Sequence, residues 1–262
     1  MGRIVAFVAA ACLCAALHAQ PLAAEFRQEV DRALEVPPGA RAAYARRLEA
    51  VLRDAGLEEQ QAQFYLLVDR SPAVQAAFVY WRSPQGTALM VGAAPVSTGI
   101  TGELEHFTTP LGVFAHTPAH PDFRAEGTYN ELGIRGYGRE GMRVFDFGWV
   151  NGERGWGRGG FSPMRLQVHA TDPDVLEPLL GRAHSQGCIR IPASLDAFLD
   201  RHGVLDAEYE ARAHLGERPR VLAPDREPTP WAGRYLVVID SGAARRPAWA
   251  SFSARPRPSP RR

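Results

Sequence analysis

Phe64-Tyr65-Leu66-Leu67-Val68-Asp69 is a short apolar run that ends on a carboxylate, and its reading decides the fold. Two similar runs follow, Ala77-Phe78-Val79-Tyr80-Trp81 and Ala88-Leu89-Met90-Val91, with Ser83-Pro84-Gln85-Gly86 between them. Short runs rich in aromatic and β-branched residues, punctuated by Pro and Gly, predict strands, and the Ser83–Gly86 set predicts a hairpin turn. Thr109-Pro110-Leu111-Gly112-Val113-Phe114, Met164-Arg165-Leu166-Gln167-Val168-His169 and Arg234-Tyr235-Leu236-Val237-Val238-Ile239-Asp240 extend the same pattern. The expectation is a mainly β protein, a β-sandwich or barrel core with a few short helices.

On the N-terminal side the period changes. Val30, Ala33 and Leu34, then Tyr44, Leu48, Val51 and Leu52, recur at helical spacing, and Pro37-Pro38-Gly39 divides two helices. This predicts a small helical appendage over residues 25–62. Before it, Arg3 precedes an uncharged stretch from Ile4 to Leu17 and small residues around Ala19 and Ala24. That is the layout of a signal peptide over residues 1–24 and implies export to the periplasm or cell envelope. The stretch is too short to span a bilayer comfortably, and no membrane span is expected. Residues 63–242 are expected to form the main domain. Residues 243–262 hold six arginines, no acid and little apolar content, and predict a basic, disordered tail.

The formal net charge is +1, and all 30 basic residues are arginine. Without the tail and Arg3 the body is net acidic, which argues against nucleic acid as a partner. Thr117 to Gly160 is glycine-rich and reads as loops bordering a cleft that Tyr137, Trp149 and Trp156 line. Within it Gly136-Tyr137-Gly138-Arg139-Glu140-Gly141 matches a dinucleotide fingerprint by letter, but neither a leading strand nor a following helix accompanies it. No cofactor is expected. His116 and His120 have no zinc-type spacing, so no metal is expected either.

The three cysteines are Cys12 and Cys14, in the leader, and Cys188. A lone thiol in an exported protein is either a nucleophile or a small buried hydrophobe. Cys188 lies in Ala183-His184-Ser185-Gln186-Gly187-Cys188-Ile189-Arg190-Ile191-Pro192, after a glycine and two residues before a cation. His169 ends a predicted strand nineteen residues earlier, and His184 stands four residues earlier. Either is a possible base for the thiol, and either has a plain structural reading.

At these residues the chain resembles the L,D-transpeptidase catalytic domain family (YkuD-type). The resemblance rests on His169, fifteen intervening residues, then Ser185-Gln186-Gly187-Cys188-Ile189-Arg190, with Val96-Ser97-Thr98-Gly99 and Thr109-Pro110-Leu111-Gly112-Val113-Phe114 upstream. It implies a cysteine-dependent L,D-transpeptidase that acts on peptidoglycan stem tetrapeptides. By the same resemblance Cys188 forms the acyl-enzyme, His169 is the base, and the backbone N–H groups of Gln186, Gly187 and Cys188 hold the oxyanion. Arg190 positions the loop or a substrate carboxylate, Ser185 orients the histidine or caps the turn, and His184 supports the site. The chain departs from the family at Gln186, where a histidine is usual, and at Ala170, where glycine is usual. The alternatives are an L,D-carboxypeptidase that passes the acyl group to water, and a catalytically lapsed wall-binding module.

Overall fold

The computed structural model describes residues 22–217 and 219–251. Residues 1–21 of the expected leader and the last part of the tail lie outside the described residues. Among the described residues four helices are present: α1 over residues 22–29, α2 (Pro38–Asp54), α3 (Ala193–Arg201) and α4 (Ala207–His214). The strands are β1 (Gln63–Asp69), β2 (Ala76–Arg82), β3 (Ala88–Pro95), β4 (Phe107–Thr108), β5 (Gly112–Ala115), β6 (Phe123–Arg124), β7 (Arg143–Arg154), β8 (Phe161–His169), β9 (Ile189–Arg190) and β10 (Tyr235–Ile239).

The strands form two mixed sheets, a layered arrangement and not a closed barrel. The first has the order β3-β2-β1-β10-β5, with β1 and β10 parallel. The second has the order β4-β7-β8-β9, with β6 also on β7 and with β8 and β9 parallel. β1 and β2 are buried along their whole length because both faces of their sheet are covered. Phe64, Leu66 and Val68 enter the core between the sheets with Phe145, Leu166, Val168 and Ile189. Tyr65 and Leu67 turn to the opposite side, where Tyr44, Leu48 and Leu52 of α2 cover them. That double burial is why β1 reads as a continuous apolar run with no polar alternation.

The N-terminal helices are part of these two cores. Pro38 starts α2 at its first turn, where a missing N–H costs nothing. Leu22 and Phe26 of α1 and Val30 just after it recur at four-residue spacing and enter the inter-sheet core. Phe26 lies flat on Gly92, where a Cβ would come within 2.2 Å of its ring, and meets Phe198 edge-on at 5.1 Å. The expected first helix is shorter than its periodicity suggests: helix ends at residue 29, and residues 30–37 are irregular.

Two expectations need correction. Residues 117–160 are not all loop, since β7 is the longest strand among the described residues. Its apolar signal is masked by Arg143 and Asp146, which are both fully buried, and by a register shift between Asp146 and Trp149. The tail is also ordered in its first part. Ala248–Ala250 forms a 3₁₀ turn, and Trp249 meets Tyr44 and Phe78 edge-on at 5.9 and 5.8 Å. Arg246 donates to Gly181 O at 2.6 Å, so this arginine pins the segment to the body. Composition registers charge and proline but overlooks one well-placed tryptophan.

Candidate active site

The site is built on one face of β8. Met164, Leu166 and Val168 point into the inter-sheet core. Successive side chains on a strand alternate, so Arg165, Gln167 and His169 form a row on the other face. β9 runs parallel to β8 with Val168 beside Ile189 and His169 beside Arg190. The same register sets Cys188 beside Gln167, on the face of the polar row. By strand alternation Cys188 and His169 fall on one face of the β8–β9 pair, and the thiol donates to the Arg165 carbonyl at 3.5 Å. From β7, Asp146 pairs with Gln167 and adds a carboxylate to the row.

Burial sets the ionisation of this pair. It pushes the Cys188 thiol up to about 11, although the Gln167 N–H and the Arg190 charge pull the other way and Asp146 adds to the rise. It lowers the His169 imidazole to about 4, with the Arg190 charge acting in the same direction and a hydrogen bond to Ala170 O opposing. At neutral pH both groups are uncharged. His169 Nδ1 donates to Ala170 O at 2.6 Å, which makes Nε2 the acceptor nitrogen of the neutral ring. Tyr137 meets the His169 ring edge-on at 4.8 Å, and its hydroxyl donates to Gln167 Oε1 at 3.1 Å. A neutral thiol and a correctly held neutral imidazole can pass a proton as a carbon–sulfur bond forms.

The turn that presents Cys188 is held by the two upstream blocks. Ser97 N–H donates to Arg190 O and Arg190 N–H to Ser97 O, both at 2.9 Å. Thr98 O accepts from the N–H groups of His184 and Ser185 at 3.0 and 2.9 Å. Thr109 Oγ1 accepts from Gly99 N–H at 2.8 Å and donates to Gly187 O at 2.7 Å. Gly187 has a φ of 125°, and a Cβ there would lie 2.8 Å from Met164 Cε, so only glycine fits. The Ser-Thr-Gly and Thr-Pro stretches are thus the mould of the cysteine turn.

The expected site residues separate by geometry. Ser185 is buried, its hydroxyl donates to Cys188 O at 2.5 Å and accepts from Gly187 N–H at 3.1 Å. Ser185 therefore ties the turn and does not touch His169 through these bonds. Gly187 N–H is already engaged, which removes it from the three expected oxyanion donors and leaves Gln186 and Cys188. The Gln186 side chain is exposed, and the Gln186 backbone carbonyl accepts from Phe107 N–H at 3.2 Å. His184 is exposed and contributes its backbone: its carbonyl accepts from Arg190 Nη1 at 2.7 Å. Arg190 thereby staples the loop.

No family model and no curated protein matches the chain. Among solved structures, one that aligns with it is the helical cell shape determining protein Pgp2 (K307A mutant) from Campylobacter jejuni, at 12% identity and a TM-score of 0.34. That alignment covers 88% of this chain and 57% of the other, so the chain spans little more than half of that protein. A likeness of this size says nothing about activity.

Sequence reasoning missed Asp146, Arg165 and Gln167. Asp146 Oδ2 accepts from Arg165 Nε at 2.8 Å and from Gln167 Nε2 at 2.7 Å, while its Oδ1 accepts from Gly148 N–H at 2.8 Å. A signal was present. Arg165-Leu166-Gln167-Val168-His169 alternates polar and apolar residues and marks one face as polar and occupied. Among the described residues no group of three or more His, Cys, Asp or Glu side chains is placed to hold a metal ion, and no helix is long and apolar enough to cross a membrane.

Proposed function

We propose that this protein is a thiol acyltransferase of the L,D-transpeptidase kind, acting on peptidoglycan stem tetrapeptides in the cell envelope. The observation that carries the reading is the shared face of Cys188 and His169, with His169 Nδ1 bonded to Ala170 O at 2.6 Å and Nε2 left to take a proton. The Cys188 sulfur attacks the carbonyl of the residue before the terminal D-alanine as its proton passes to His169 Nε2. The N–H groups of Gln186 and Cys188 receive the developing oxyanion. The imidazolium returns the proton to the leaving amine, D-alanine departs, and a thioester remains on Cys188. An amine of a second stem peptide then attacks the thioester and restores the free thiol.

Because the resting pair is neutral, the proton moves during attack and no preformed thiolate is needed. His184 has no part in this scheme beyond its backbone contact to Arg190. The test is to incubate the protein with tetrapeptide muropeptides and to separate the products. Cross-linked dimers and free D-alanine from the wild type, none from Cys188→Ala, and a loss of about 10²–10⁴-fold in His169→Ala are expected. Monomeric tripeptide without dimers would reassign the acceptor to water. Unchanged turnover in Cys188→Ala would overturn the proposal.

A further inference from the structure

The Cys188–His169 pair leaves a third member of the β8 row without a task. Arg165 is the polar-face residue two positions before Gln167, and Gln167 stands beside Cys188 in the strand register. The backbone carbonyl of Arg165 accepts from the Cys188 thiol at 3.5 Å, so the residue borders the nucleophile. The Arg165 side chain is held at one end only. Nε donates to Asp146 Oδ2 at 2.8 Å, and Asp146 is itself fully buried. The side chain is 39% exposed, and neither terminal nitrogen has a protein acceptor among the described residues. The exposed ring of Trp149 lies beside it, its centroid 6.0 Å from Cζ.

A guanidinium fixed through Nε by a buried carboxylate, with its terminal nitrogens open to solvent, is pre-oriented for an anion. Arg190 differs, because its Nη1 is used on His184 O and its charge is partly buried. We infer that Arg165 binds the terminal carboxylate of the acyl-donor peptide and so selects a donor from which a single residue is released. This deepens the proposed function and rests on it.

Lengths along the strand agree with that assignment. Two strand residues separate the level of Cys188 from that of Arg165, about 7 Å at about 3.3 Å each. A reacting sulfur sits about 3 Å from the carbonyl it attacks. One further residue of extended chain adds about 3.5 Å and ends on the carboxylate of the leaving residue. A donor with two residues beyond the scissile bond would carry its carboxylate past the guanidinium.

The test compares a stem tetrapeptide with the same peptide as its C-terminal amide. In Cys188→Ala, calorimetric titration is expected to show at least tenfold tighter binding of the free acid. In the double variant Cys188→Ala with Arg165→Gln, the two peptides are expected to bind equally. In the otherwise wild-type enzyme, Arg165→Gln is expected to abolish the preference in kcat/KM for acid over amide, whatever its effect on absolute rate. Because acid and amide are compared on the same protein, a general loss of stability does not imitate the result. Equal binding of the two peptides by Cys188→Ala, no binding of either, or a preference that survives Arg165→Gln would each overturn the inference. If turnover depends on Cys188 while the acid preference survives Arg165→Gln, the function stands and this assignment falls. If turnover is independent of Cys188, the function itself falls.

Discussion

Two buried polar groups sit on the second sheet, and they are treated in opposite ways. Around Arg143 at the start of β7, the guanidinium is ringed by counter-charges. Its guanidinium donates to Asp122 at 2.8 Å, to both oxygens of Asp206 at 2.7 and 2.6 Å, and to Asp200 at 3.1 Å. His116 closes the network with Nε2 on Asp122 at 2.8 Å and Nδ1 on Leu205 O at 2.8 Å. Burial alone would lower the Arg143 pKa, but the Asp206 and Asp122 carboxylates hold it above its usual value. Further along the same sheet His169 is buried and Cys188 half-buried, with no matching ion, and both are pushed toward their neutral forms. A compensated cluster serves the fold, because its guanidinium is matched by carboxylates within the protein. A neutral thiol beside a neutral imidazole, with an arginine open at one end, keeps its capacity for a ligand.

The largest effect expected from breaking this contrast is on the compensated side. Arg143→Met leaves Asp122 and Asp206 buried with their main counter-charge gone. It should cost about 3–5 kcal/mol of stability in urea unfolding. A loss below about 1 kcal/mol would show that the cluster is not what holds β7 to α3 and α4.

A somewhat smaller effect is expected on the neutral side and depends on pH. The folded His169 pKa lies below the ordinary value, so between about 6.5 and 4 the unfolded chain takes up a proton that the folded chain refuses. Stability should therefore fall as pH drops through that window, by about 3 kcal/mol from this residue. Asp196 and Glu177, whose pKa values burial raises, act in the opposite sense. The check is accordingly the difference between the wild type and His169→Gln in unfolding measured from pH 7 to pH 4. The variant should lose less stability on acidification, and parallel profiles would contradict the assignment.

The same contrast explains what is legible in the sequence. The paired strands around Phe64–Asp69 can be read because one physical rule, apolar burial, governs the middle of each of them. The cysteine turn can be read because Gly187 and the Ser-Thr-Gly and Thr-Pro blocks meet strict local demands of backbone and hydrogen bonding. Arg143, Asp122 and Asp206 cannot, because their burial depends on partners 21 and 63 residues away in the chain, a matter of tertiary pairing. β7 is hidden for the same reason. For Arg190 the sequence leaves substrate and staple open, and the deciding fact is the direction of its guanidinium, toward His184 O. Arg165 escapes a reading along the chain because its neighbour in space, Asp146, lies nineteen residues away on the adjacent strand.

The central claim is that Cys188 is an acylated nucleophile, and intact-protein mass spectrometry after exposure to a carbapenem tests it most directly. The wild type should gain the mass of one carbapenem, and Cys188→Ala should gain none. An unmodified wild type, or an adduct that persists in Cys188→Ala, would contradict the account.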